Sequence, residues 1–257
     1  MSDQECGNCG GTGYISVDRD GISAASRCPC YLDRMAASRV PKAGIPGKFA
    51  RSTFDNFEIG GVANPVVGAL RSKVRIAVKR FAVDFPSGAK KSLLLTGPPG
   101  AGKTHLAIAA FRTILEKGFD GVFFEYQQLL NLITASWNPA SGVQERAAYG
   151  QALETPLLFL DDLGARRSSE WVEDTITSII TDRYNNERPL IATSNLRLDY
   201  GMSSGSTAGG SPRFEKTLAE VIGARSASRL AEMCVVVDFQ GLPDYRQPEQ
   251  GFSSQVR

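Results

Sequence analysis

At 257 residues the chain is long enough for one substantial domain with a small appendage. Hydrophobic residues make up 42% and charged residues 22%, a balance that supports a packed core and excludes wholesale disorder. A formal net charge of +2 excludes a globally basic nucleic-acid binder, so any such contact must come from local clusters.

The opening stretch MSDQECGNCGGTGY has neither a basic start nor an apolar core and is not read as a secretory signal. No run approaches the ~18 apolar residues of a membrane-spanning helix, so no membrane partner and a cytoplasmic location are expected. In a reducing compartment the five cysteines read as metal ligands or core residues rather than disulfides. Residues 1–40 hold four of them and no clear apolar period. Cys6-x2-Cys9 and Cys28-x-Cys30 are separated by 18 residues, and two close thiolate pairs suit tetrahedral Zn²⁺. So few apolar anchors bury little core, so metal is expected to hold this module together. The competing reading is a disordered head with free thiols. Residues 41–63, punctuated by Pro and Gly, read as an extended linker.

A domain over 64–246 follows. Its first helix is predicted to start at Asn64–Pro65, with Val67, Leu70, Val74, Val78, Phe81 and Phe85 as its apolar stripe. Strands are predicted at Lys91–Thr96, Gly121–Glu125, Leu157–Asp161, Leu190–Thr193 and Cys234–Phe239. Helices are predicted near Gly102–Lys117, Gln127–Ala135, Val143–Leu153, Glu170–Asn185 and Arg213–Glu232, the last broken near Gly223. Strands alternating with helices imply an α/β three-layer sandwich with a five-stranded parallel sheet. The Gly/Ser-rich stretch 199–212 reads as a flexible loop, 247–257 as a tail, and Cys234 as a core residue.

Gly97-Pro98-Pro99-Gly100-Ala101-Gly102-Lys103-Thr104 matches the phosphate-binding pattern G-x-x-x-x-G-K-[ST] at every fixed position. Its glycines let backbone N–H groups turn around phosphates, Lys103 reaches the β/γ oxygens, and the Thr104 hydroxyl ligates Mg²⁺. ATP and Mg²⁺ are the expected ligands. Leu157–Asp161 is a central strand ending in Asp161, placed to hold Mg²⁺, and Asp162, placed to polarise an attacking water. Asn195 ends another apolar strand and reads either as a γ-phosphate sensor or as a turn cap. Arg225 and Arg229, four residues apart, share one helix face. That face is either solvated or supplies an arginine finger to a neighbouring subunit.

In order and spacing, GPPGAGKTHLA, LLFLDDLG, IATSNL and GARSASRL resemble the DnaC/DnaI helicase loaders and the related IstB transposition helpers, a branch of the AAA+ ATPases. The resemblance covers about residues 45–246, with IPGKFARSTFDNF similar to the segment before the AAA+ core. It implies Walker A residues Lys103 and Thr104, a Walker B pair Asp161 and Asp162, sensor 1 at Asn195, an arginine finger at Arg229 with Arg225 beside it, and sensor 2 at Arg246. His105 reads as a family marker bordering the nucleotide loop. Asp162 stands where many AAA+ proteins carry Glu, and its shorter arm implies slow hydrolysis. The resemblance further implies a DnaB-type replicative helicase, single-stranded DNA and further copies of the chain as partners, with a zinc head that contacts the helicase. Arg71, Arg75 and Lys79 recur at spacing four, and Arg166 and Arg167 follow the Walker B strand; each group is either solvated or contacts DNA phosphates. The rival functions are a transposition helper, an ATP-switched adaptor without hydrolysis, and a small-molecule kinase.

Overall fold

The computed structural model describes residues 6–19, 22–57, 64–136, 143–165, 169–198 and 216–246. The expected loop at 199–212, Arg166, Arg167, Arg213 and the tail 247–257 lie outside these residues. In the head, β1 (Tyr14–Arg19) and β2 (Ile22–Arg27) pair antiparallel with Tyr14 opposite Arg27. Sequence reading placed no element there, although Asp20-Gly21 between the two short runs is a hairpin signal. Helix α1 (Pro29–Lys42) follows, with proline in its first turn and Arg39 and Lys42 in its last, where cations complement the helix dipole. It runs across the expected boundary between head and linker. Its end docks on the core: Arg39 pairs with Asp120 at 2.7 Å, and the Ala43 carbonyl accepts from the Phe123 N–H at 2.7 Å.

Residues 43–57 were expected as an extended spacer, but they form a strap laid over the core. A short 3-10 turn spans Gly47–Phe49, and Phe54 and Phe57 are buried. Burial of two aromatic rings outweighs the linker-like Pro/Gly punctuation. Helix α2 (Pro65–Asp84) starts where the sequence indicates. The Asn64 side chain accepts from the Val66 N–H at 2.9 Å, and Val74, Val78 and Phe81 are buried.

The sheet follows: β3 (Ser92–Thr96), β4 (Gly121–Glu125), β5 (Leu157–Asp161), β6 (Leu190–Ser194) and β7 (Cys234–Asp238). All neighbours run parallel in the order β4-β5-β6-β3-β7. Between them lie α3 (Lys103–Glu116), α4 (Tyr126–Ser136), α5 (Val143–Glu154), α6 (Glu170–Asn185), α7 (Leu218–Ile222) and α8 (Ala224–Met233). Alternate strand residues feed two cores: Leu93, Leu95, Phe123 and Phe159 pack with α2 and α3. Leu94, Phe124, Leu158 and Leu160 pack with residues of α4 to α8. The result is the expected three-layer α/β sandwich. The helix foreseen over Arg213–Glu232 is two helices meeting at Gly223, whose φ is +83°.

One polar residue sits in the middle of this packing. Arg183 of α6 is fully buried and donates to the carbonyls of Ala152 at 3.0 Å, Thr155 at 3.0 Å and Pro189 at 2.6 Å. It thereby fastens the end of α5 to the approaches of β5 and β6. Burial draws its guanidinium down to about 10.

Candidate functional site

Strand β3 delivers the chain into the glycine loop, and the loop delivers it into α3. Gly100 and Gly102 have φ of +72° and +92°. A Cβ at Gly100 would run into the Asp244 carboxylate, and one at Gly102 would lie 2.6 Å from Phe57 Cε2. The Gly100 carbonyl also accepts from the Tyr245 N–H at 3.0 Å. The loop is therefore held between the strap and the chain after β7.

Lys103 lies folded into this loop. Its Nζ donates to the carbonyls of Gly97 at 2.8 Å and Pro98 at 2.7 Å, and to Asn195 Oδ1 at 2.8 Å. Burial lowers its ammonium to about 8, against the attraction of Asp162 and Asp161 and with the repulsion of Arg246.

Because β6 lies between β3 and β5, side chains at its end reach both neighbours. Asn195 Nδ2 donates to Asp162 Oδ1 at 2.6 Å, so one carboxamide joins the loop lysine to the second aspartate. Thr193 Oγ1 donates to Asp161 Oδ1 at 2.7 Å and accepts the Asp162 N–H at 2.9 Å. Thr104 Oγ1 donates to the same Asp161 oxygen at 2.9 Å. Burial raises the pKa of both aspartates; Asp161 is drawn back by Thr193 and Thr104, whereas the neighbouring Asp161 charge pushes Asp162 further up. Asp162 holds φ of +59°, an uncommon backbone state for a residue with a side chain, fixed here by Thr193 and Asn195.

These groups line a cleft of about 560 Å³ that also includes Pro99, Ala101, His105 and Arg246. His105 borders the cleft, but its Nε2 meets the Thr53 carbonyl at 2.9 Å and its ring packs on Phe57. Arg246 donates its N–H to Asp244 Oδ1 at 2.9 Å. Arg225 and Arg229 do not line the cleft of their own chain. Arg225 is exposed, and Arg229 lies over the Tyr184 ring at 5.7 Å, whose hydroxyl donates to Glu232 at 2.7 Å. A larger groove of about 1020 Å³ runs along α2 beside Val235 and contains none of the motif residues.

Among the lining residues not singled out from sequence are the polar groups Lys48, Asn56, Glu125 and Thr193. Glu125 had a signal, because it ends a strand in register with Asp161. Thr193 was read only as part of an apolar strand.

In the head the Sγ atoms of Cys6, Cys9, Cys28 and Cys30 all lie within 4.8 Å of one another. Cys6 and Cys28 are 3.7 Å apart and Cys9 and Cys30 3.3 Å, against about 3.8 Å between thiolates bonded tetrahedrally to Zn²⁺. Against partial desolvation, hydrogen bonds from the Gly13 backbone and from the neighbouring thiols draw Cys9 down to about 6. The donor set and its spacing fit a bound metal ion. Cys234 lies fully buried in β7, where burial pushes its thiol far up.

The profile of the IstB-like ATP-binding protein family matches residues 75–203. YqaM of Bacillus subtilis (strain 168) is 26% identical over 184 residues, covering 68% of this chain and 56% of that protein. Rv3427c of Mycobacterium tuberculosis (strain ATCC 25618 / H37Rv), named as ATP-binding and in an insertion sequence, is 30% identical over 146 residues, 57% of this chain and 54% of that protein. The chain thus spans little more than half the length of these two relatives. The crystal structure of the DnaC helicase loader is similar with 28% identity and a TM-score of 0.58, covering 75% of this chain and 99% of that one.

Proposed function

The chain belongs to the family of IstB-like ATP-binding proteins, and from that premise we propose that it is an ATP-hydrolysing switch that helps load a replicative helicase onto single-stranded DNA. The observation that carries this reading is the continuous chain Lys103–Asn195–Asp162 beside the pair Thr104–Asp161. It supports a division of labour among a cation for the phosphates, a carboxylate for water, and a carboxamide that touches both.

On this reading the terminal phosphates of ATP replace the Gly97 and Pro98 carbonyls as partners of Lys103. Thr104 and Asp161 would hold Mg²⁺, which when bound would offset phosphate charge. Asp162 accepts the proton of the attacking water, and Asn195 keeps that carboxylate aligned. The short arm of Asp162 makes hydrolysis slow. Arg246 contacts the nucleotide from within the chain. Arg229, with Arg225 beside it, completes the site of a neighbouring copy, a role supported by their position outside their own cleft. Cys6, Cys9, Cys28 and Cys30 hold Zn²⁺, and the head so stabilised contacts the helicase. Of the α2 cations at spacing four, Lys79 is exposed and open to a DNA phosphate, whereas Arg71 lines the nucleotide cleft and Arg75 donates to the Phe54 carbonyl. Among the described residues no helix is long and apolar enough to cross a membrane.

A transposition helper is the second reading, favoured by the family profile and by the insertion-sequence relative. The likeness to the helicase loader over nearly all of that chain favours the first. The partner separates them. Mixed with ATP, a hexameric replicative helicase and a transposase of the insertion-sequence type, the loader reading expects the helicase to co-migrate. Co-migration of the transposase alone would sink it. Phosphate release in the presence of helicase and DNA tests hydrolysis; retained ATP binding with no release under any condition would leave only a non-hydrolysing adaptor.

A further inference from the structure

The strap joins the cysteine head to the nucleotide cleft and is pinned to the core at short intervals. The Ala43 carbonyl accepts from Phe123 N–H at 2.7 Å. Arg112 of α3 donates to the Ala50 carbonyl at 2.5 Å, His105 of α3 meets the Thr53 carbonyl at 2.9 Å, and Arg75 of α2 donates to the Phe54 carbonyl at 3.4 Å. Two of these anchors sit on α3, the helix that opens with Lys103, so a shift of the phosphate loop is felt along the strap.

Between the first two anchors, the turn Gly47–Phe49 sets Lys48 on the cleft wall with Lys103, Thr104 and Asp161. Lys48 is exposed, and its ammonium rests 4.7 Å over the Phe49 ring. It shares that wall with Glu125 and Asp162 as well, which puts the cation at the Walker B end of the cleft. A phosphate chain entering the cleft would bring a further anion between the same walls. An ammonium on a flexible four-carbon stem is suited to follow such a charge.

We propose that Lys48 is a further phosphate-contacting cation of this cleft, reading the terminal phosphate of ATP and passing its presence through the strap to α1 and the cysteine head. The proposal rests on the ATP reading above. The terminal phosphate distinguishes ATP from ADP, so Lys48 discriminates between them. Movement of the 47–49 turn reaches α1 over the short run from Lys42, and α1 is seated by the Arg39–Asp120 pair at the entry to β4. No separate lever is needed, because head, strap and cleft wall are one stretch of chain.

The test uses the full chain with Lys48→Ala and Lys48→Arg, measuring affinities for Mg·ATP and Mg·ADP and amide exchange of α1 in each state. Lys48→Ala is expected to weaken Mg·ATP about tenfold and Mg·ADP less than about twofold, with Lys48→Arg within about threefold of wild type. The α1 amides should exchange differently with ATP and ADP in wild type and alike in Lys48→Ala. Unchanged ATP affinity in Lys48→Ala, or equal losses for both nucleotides, overturns the phosphate contact. Identical α1 exchange in the two states of wild type overturns the coupling. A wild-type chain that binds neither nucleotide overturns the ATP reading itself, and this proposal with it.

Discussion

Asn195 touches Lys103 with one atom of its carboxamide and Asp162 with the other. Replacing it with Ala leaves Lys103 still held by two loop carbonyls, so ATP affinity should change little. Hydrolysis should fall about a hundredfold, because Asp162 loses the donor that aims it. Steady-state phosphate release and equilibrium ATP binding on Asn195→Ala check the split. Lys103 gives a pH expectation at the same scale. Its ammonium is lowered to about 8 by burial, so the nucleotide-free site is discharged as pH rises through that value, and bound phosphates should restore the charge. ATP affinity should therefore decline above pH 8, and binding near that pH should take up protons. Calorimetry in buffers of different ionisation enthalpy reads this; the absence of uptake would contradict it. The sign for stability follows from the same shift. Between about 8 and the ordinary lysine value of 10.5 the unfolded chain binds a proton that the fold has released, so the nucleotide-free protein gains stability as pH rises across that window. Lys103 was legible in sequence through the glycine-loop pattern, and Asp161 and Asn195 because each ends or follows a short apolar run. Thr193 was not, since a threonine inside such a run looks like strand filling until the register sets it against Asp161.

Among the elements, α6 carries a residue that periodicity does not reveal. Arg183 is buried among apolar neighbours and fastens three chain ends through their carbonyls. Arg183→Met should cost about 3 kcal/mol or more, because removing the donor leaves buried acceptors without partners. Arg183→Lys should recover only part of that, since a point charge cannot span the fork. Thermal unfolding of the two variants measures both; a melting temperature for Arg183→Met indistinguishable from wild type would contradict the assignment. The sheet and its covering helices were legible because buried parallel strands read as short apolar runs between helical stripes. The head was less so. Its hairpin offers few apolar residues, and α1 begins at a proline beside the cysteines and contains a second proline at Pro41. The strap was read as a spacer because tertiary burial of Phe54 and Phe57, not local propensity, fixes its path.

At the scale of the molecule, no described side chain of the hairpin β1–β2 belongs to either core cluster, whereas α1 and the strap lock onto one of them through Val40, Ala43 and Phe54. Metal removal should therefore act locally. A chelator, or the pair Cys6→Ser and Cys9→Ser, should release about one Zn²⁺ per chain and loosen the head while the ATP affinity of the core persists. Metal analysis alongside nucleotide binding tests this, and loss of ATP binding with the metal would contradict it. What sequence alone did not reach is how the head and the site communicate, because that depends on the strap's path across the cleft. The most direct measurement is association of the full chain with a hexameric replicative helicase in ATP, in ADP and in a non-hydrolysable ATP analogue. The loading reading expects a stable complex with ATP or the analogue, released when ATP is hydrolysed in the presence of single-stranded DNA. Equal association in all three states, or none in any, would contradict it.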